Sequence, residues 1–275
     1  MRLAIDLGGT NIRIAQVNNG LCVKKTSIVC PAQEEAAEIL NQLFHIIGSM
    51  MNGDVTGIGV GVPSIVDARS GTVYNVANIP SWKEVGLKDI LEKGFGVPVS
   101  INNDSNCFAL GESIYGAGQP YANMVGVTIG TGIGAGVIIN HKLYGGAYLG
   151  AGEIGSLPYL DSDFEHYCSS FYFKKYNTTG EIAAHEARQG NMVSLTLWNE
   201  FGGHLGQLIK AILFTYAPQA SVLGGGIVSA FPLFKESMER AMCDFPYQLM
   251  VKDLKVIPSA LDDAALLGAS ALMDE

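Results

Sequence analysis

The residues best placed to do chemistry lie in the stretch Ile101-Asn102-Asn103-Asp104-Ser105-Asn106. It follows a short apolar run, Val97 to Ile101, and precedes the opening of a helix at Cys107 to Glu112. An aspartate at such a strand-to-helix switch faces the crevice at the carboxyl end of an α/β sheet, where ligands bind. Amides flank Asp104 and could hydrogen-bond hydroxyl groups. The same residues also suit a plainer role, because Asp104 or Ser105 could simply cap the helix.

Two glycine-rich turns stand on either side of this stretch. In Asp6-Leu7-Gly8-Gly9-Thr10, exposed N–H groups and a hydroxyl would form a nest for phosphate oxygens. Asp6 could hold magnesium there through water. Gly130-Thr131-Gly132-Ile133-Gly134 repeats the layout of strand, Gly/Thr turn and strand, which reads as an internal duplication. One such turn is weak evidence, since Gly-Gly also favours an ordinary hairpin. Two, flanking a buried aspartate, say more. Gly224-Gly225-Gly226 follows a strand and would let a flat base lie against the backbone. Glu153 is the only charge in the loop Gly150 to Ser156. The loop Asn78-Ile79-Pro80-Ser81-Trp82 offers an amide and an exposed-looking aromatic, both common in sugar pockets.

The elements that must position these residues follow from apolar spacing. Strands are expected at Arg2–Leu7, Asn11–Val17, Leu21–Val29, Val55–Pro63, Val97–Ile101, Met124–Ile129, Val137–Ile139, Ala220–Leu223 and Leu254–Ile257. Helices are expected at Gln33–Met51, Leu87–Lys93, Asp104–Tyr115, Asn191–Tyr216, Ser229–Met242 and Asp262–Met273. Thr178-Thr179-Gly180-Glu181 looks like a capping box opening another helix. Val66 to Val73 reads as a polar hairpin, and Asp161 to Tyr176 is polar and aromatic without clear period.

The 275 residues, 48% apolar and 16% charged, support a sizeable core. A net charge of −9 argues against nucleic acid as a partner, because phosphate neutralisation needs clustered Lys and Arg. No apolar run reaches the roughly 18 residues of a membrane helix, and an Asp at position 6 rules out a signal peptide. The five cysteines are widely spaced with no CxxC pair, which implies reduced thiols in a cytoplasmic protein.

Together these motifs resemble the ROK family of bacterial sugar kinases, of the glucokinase and fructokinase kind. The resemblance runs through Asp6-x-Gly8-Gly9-Thr10, Gly59-x-Gly61-x-Pro63, Asn78-x-Pro80-x-Trp82, Asn103-Asp104-x-Asn106, Gly130-Thr131-Gly132-x-Gly134, Gly152-Glu153-Ile154-Gly155 and Leu223-Gly224-Gly225-Gly226. It implies an α/β protein of the actin-like ATPase (ribonuclease H-like) fold, with two lobes around a nucleotide and sugar cleft. The expected lobes are 1–117, joined by the terminal helix 262–275, and 118–261. The implied activity is ATP-dependent phosphorylation of a hexose on a primary hydroxyl. An amino-sugar or other sugar kinase is the alternative, as is a sugar-binding regulator or pseudo-kinase without a DNA-binding domain.

By resemblance, Asp104 is the general base. Gly61, Asn78, Asn103 and Glu153 bind sugar alongside it. Asp6, Gly8, Gly9, Thr10, Gly130, Thr131, Gly132 and Gly225 bind ATP, with magnesium at Asp6 through water. The expected partners are a small-molecule sugar and ATP, with no nucleic acid and no membrane, in a homodimer. The family's zinc motif is missing near residues 160 to 172. Only Cys168 could correspond to it, Ser156 stands where the family has His, and Ser170 is read as the counterpart of a sugar-contacting Glu. No zinc is expected, and the anomeric end of the sugar should be read loosely.

Overall fold

The computed structural model describes residues 1–67, 69–76, 78–146 and 150–275. β1 (Arg2–Leu7), β2 (Asn11–Asn18) and β3 (Leu21–Val29) form an antiparallel meander. Helix α1 (Ala36–Met50) buries Ile39, Leu43, Ile46, Ile47 and Met50, the stripe that a period of 3.6 residues generates. β4 (Ile58–Val62) is buried along its whole length, as a parallel strand covered on both faces must be. Then come β5 (Ile65–Val66), β6 (Val73–Tyr74) and β7 (Glu84–Val85), a small sheet of three strands. α2 (Leu87–Phe95) ends on left-handed Gly96, and β8 (Val99–Asn103) passes directly into α3 (Asp104–Tyr115).

The chain continues through β9 (Met124–Ile129), β10 (Ile133–Ile139), β11 (Lys142–Tyr144), β12 (Pro158–Tyr159) and β13 (Ser162–Asp163). Helices α4 (Phe164–Cys168), α5 (Ser170–Lys175), α6 (Gly180–Arg188) and the long α7 (Met192–Tyr216) follow. The last elements are β14 (Ala220–Gly224), α8 (Phe231–Met242), α9 (Gln248–Asp253), β15 (Lys255–Pro258) and α10 (Ala264–Ala271). The two large sheets have the orders β3-β2-β1-β4-β8 and β11-β10-β9-β14-β15. In chain order both read third, second, first, fourth, fifth. That common order is the structural form of the duplicated glycine turns.

By packing, the chain divides into two units, residues 1–120, 136–151 and 261–275 in one and 121–135 with 152–260 in the other. β10 begins in the second unit and ends in the first. In the first unit, α10 lies on β4 and α3 where Gly59, Gly111 and Gly268 bring backbones together. Trp82, expected to be exposed, is fully buried there. The turn from Val76 to Trp82, closed by hydrogen bonds from Ile79 N to Val76 O and from Trp82 N to Ile79 O, folds the ring into the core.

The second unit is built on α7, whose Trp198 and Phe201 pack with Phe173 of α5 and Phe234 of α8, Trp198 stacking on Phe234. The unperiodic stretch from Asp161 holds two short helices, capped by the side chains of Asp163 and Ser169. They are too short to show a period.

Candidate active site

In the first unit, strand register places the candidate residues in a row. Asp6 of β1 lies opposite Gly61 of β4, Gly61 opposite Asn102 of β8, and Val62 opposite Asn103. These are the carboxyl ends of three parallel strands. A side chain at Gly61 would stand 3.5 Å from the Asp104 Cα and 3.3 Å from the Cys107 Sγ, so glycine lets the start of α3 approach β4. Burial, then the charges of Asp104 and Asp6, push the Cys107 thiol well above its usual range. Both carboxylates thus act electrostatically on one buried sulfur.

The cap of α3 is Asn103. Its side-chain oxygen accepts from Ser105 N at 2.8 Å and Asn106 N at 3.3 Å, and its amide donates to Ser64 O at 3.2 Å. Asn106 Nδ2 donates to Asn102 Oδ1 at 2.9 Å and ties the turn to the strand end. Asp104 stands at the first helical position, half-buried, where the helix dipole favours a negative charge. Capping is thus done by its neighbour.

The first glycine turn is closed by Gly8 N on Asn11 O at 2.9 Å. The Gly9 and Thr10 amides make no hydrogen bond among the described residues, and Asn78 lies directly against Gly9, where a Cβ would meet it at 2.3 Å. Asp6 is not a lone carboxylate. Arg13, directly opposite it across β1 and β2, donates to Oδ2 from Nε at 2.9 Å and from a second guanidinium nitrogen. Asp263 lies 3.9 Å from Arg13 and 2.6 Å from Lys25, which extends the pair to the start of α10. Asp6 Oδ1 accepts no hydrogen bond among the described residues. One carboxylate oxygen beside a phosphate nest fits magnesium, which takes one or two carboxylates with phosphate oxygens and water. No cluster of three or more metal-ligating side chains occurs among the described residues.

In the second unit, the turn Gly130–Gly132 is gripped by the segment after β13. Ser170 N donates to Gly130 O at 2.9 Å, and Ser170 Oγ to Thr131 O at 3.1 Å. Ile133 N donates to Glu165 Oε2 at 3.0 Å, and a Cβ on Gly132 would stand 2.3 Å from that oxygen. The Thr131 and Gly132 amides make no hydrogen bond among the described residues. Gly225 has φ 92° and lies against Ile129 O, where only glycine fits. Burial, then the charge of Glu165, raise the Glu153 carboxyl above its ordinary value. The charge acting on Glu153 is thus that of Glu165, while the groups of Ser170 are occupied by the glycine turn. Sequence reasoning named Glu165 only as a residue that could rebuild the far end of the sugar pocket, and it passed over Arg13. Arg13 could have been found from the short turn that fixes its register with Asp6.

The stretch where a zinc motif would lie is held by aromatic packing. Tyr159 stacks on Phe164 and hydrogen-bonds the His204 Nδ1 at 3.0 Å, while Tyr172 donates to Glu200 at 3.0 Å. Burial pushes the Tyr159 hydroxyl up to about 12, so it keeps its proton beside His204. Burial is also the main cause lowering His204, opposed by Glu200 and aided by Lys175. A histidine lowered on folding contributes stability in full above its unfolded value of about 6.5, and loses it as pH falls through the folded value. We expect the melting temperature to drop as pH falls below about 6.5, and His204→Phe to flatten that slope. Parallel slopes in the two proteins would rule His204 out as its source.

The ROK family profile matches residues 2–275. The chain belongs to the ROK family. Glucokinase of Thermotoga maritima is 27% identical over 99% of this chain and 97% of its own length. The xylose repressor of Bacillus subtilis is 29% identical over 86% of this chain and 66% of the repressor. A ROK glucokinase from Streptomyces griseus, solved with glucose and AMPPNP, superposes with a TM-score of 0.85 at 25% identity over 98% of each chain. The ROK protein described here therefore has the actin-like ATPase fold and is related to sugar kinases.

Proposed function

We propose that this ROK protein transfers the γ-phosphoryl group of ATP, with magnesium, to the primary hydroxyl of a hexose. The observation that carries the reading is Asp104, a half-buried carboxylate at the β8–α3 switch that Asn103 relieves of capping duty. Phosphoryl transfer asks little covalent chemistry of a protein beyond an aligned hydroxyl and compensation of charge. Asp104 would accept the proton of the attacking hydroxyl. The second N–H of the Asn103 amide would orient that hydroxyl, and Asn78 would border the sugar next to Gly9. The amides of Gly9, Thr10, Thr131 and Gly132 would hold phosphate oxygens. Asp6, kept in place by Arg13, would hold magnesium, which offsets the charge on the phosphates. Gly225 would leave room for the adenosine.

Glu153 and Glu165 would accept sugar hydroxyls. The second carboxylate supports a stricter reading of that end of the sugar than Ser156 and Ser170 imply by themselves. A buried acceptor left unpaired penalises a sugar that lacks the matching hydroxyl.

The test is ADP release with a panel of hexoses differing at one carbon each, together with amino sugars. We expect turnover with at least one hexose, and selection among them. The similarity to a xylose repressor favours a second reading, a sugar-binding regulator. Sugar binding by calorimetry with no ADP release from any panel member would establish that one instead.

A further inference from the structure

We propose that Glu165 couples sugar binding to the nucleotide turn in this protein, one carboxylate oxygen serving each ligand. The inference rests on the kinase reading above and concerns a positioning role within it. Oε2 already accepts the Ile133 amide at the exit of the turn, and it rests on Gly132, where any side chain would collide with it. Oε1 accepts no hydrogen bond among the described residues, and the carboxylate is close enough to Glu153 to raise that acid. A sugar hydroxyl donated to Oε1 would place a proton donor between two like charges.

The mechanical continuity is on both sides of Glu165. Five residues on, Ser170 holds the other limb of the turn at Gly130 and Thr131. Behind both, Tyr159, Tyr172 and Phe173 fasten the segment to His204, Glu200 and Trp198 of α7. Of the groups on the turn itself, this carboxylate has an oxygen, Oε1, with no hydrogen bond among the described residues. A hydroxyl that fixes Oε1 also fixes Oε2, and with it the Ile133 amide. The turn then forfeits less conformational freedom when phosphates arrive. Linkage makes the effect reciprocal, so nucleotide must tighten sugar by the same factor.

The experiment measures AMPPNP affinity by calorimetry, with magnesium, in the presence and absence of saturating D-glucose. Wild type, Glu165→Ala, Glu165→Gln and Ser170→Ala are compared. We expect glucose to tighten AMPPNP by about 5-fold or more in wild type, the lower end of usual coupling. A carboxamide has one acceptor oxygen, so with that oxygen on the Ile133 amide it offers no charged acceptor to which a hydroxyl could donate. Glu165→Gln should therefore fold normally yet lose most of the coupling, as should Glu165→Ala, while Ser170→Ala keeps it. Amide exchange gives a second readout: glucose alone should slow exchange at residues 130–134 in wild type and not in Glu165→Gln. Wild type with no glucose effect on AMPPNP, or Glu165→Gln with the wild-type effect, would overturn the proposal. Failure of the kinase reading looks different, namely no ADP release with any sugar of the panel.

Discussion

Asp104→Asn should bind AMPPNP and melt as wild type does, yet turn over at least ~10²-fold more slowly, the usual scale for loss of a general base. The separation of fold from rate follows from the local hydrogen bonds. Helix α3 is capped by the Asn103 side chain, so the main cap survives loss of the Asp104 charge. The Asp104 Oδ1 also accepts from Ser105 N at 2.7 Å, a bond that the Asn oxygen can keep. What the substitution removes is basicity. The companion variant behaves oppositely: Asn103→Ala strips the cap and should cost about 1 kcal/mol of stability, the typical value for a lost cap. Steady-state turnover with the preferred hexose, nucleotide calorimetry and thermal melts on both variants make the test. An Asp104→Asn protein with near-normal kcat would end the general-base assignment.

What was legible in the sequence was whatever local chemistry decides. The bounds of β1, β3 and α3 came out at the residues expected, because Asp6 and Asn103 mark where an apolar run meets a polar switch. Helix α7 was legible through its apolar stripe. The capping box was placed one residue early: Thr179, not Thr178, accepts from Ile182 N, and two adjacent threonines give no local basis for choosing.

The sequence hid what distant packing decides. Trp82 looked exposed because Pro80 and polar residues surround it, yet the turn that buries it closes only against the core of its unit. Glu165 received no firm role because Cys168 drew the comparison with a zinc loop. In the fold Cys168 is a fully buried thiol, raised by that burial, and helix α4 carries the carboxylate one turn before it. Arg13 shows a third case, in which the charge partner of Asp6 sits seven residues on and becomes its neighbour only once the hairpin closes.

The glycines between helices should respond most severely. At Gly268 of α10 a Cβ would stand 1.7 Å from the Cys107 O of α3, and at Gly111 of α3 it would stand 2.0 Å from the Ala264 O. Both obstacles are backbone, so no side chain can turn aside, and the two helices must separate. We expect Gly268→Ala to cost at least ~3 kcal/mol, the upper part of the range for overpacked cores. For a chain of this size that lowers the melting temperature by roughly 6–12 °C. Activity should fall as well, because the obstructed carbonyl belongs to the residue three places after Asp104, on the first turn of the helix that Asp104 opens. Gly203→Ala is the control. Gly203 is inside α7 with nothing within 4 Å of its added Cβ, so alanine should be neutral or stabilise by up to about 1 kcal/mol through helix propensity. Thermal melts and turnover of the two variants decide the matter. Equal melting temperatures would mean that α3 and α10 are not held in contact through their glycines, and the placement of Asp104 would then need another support.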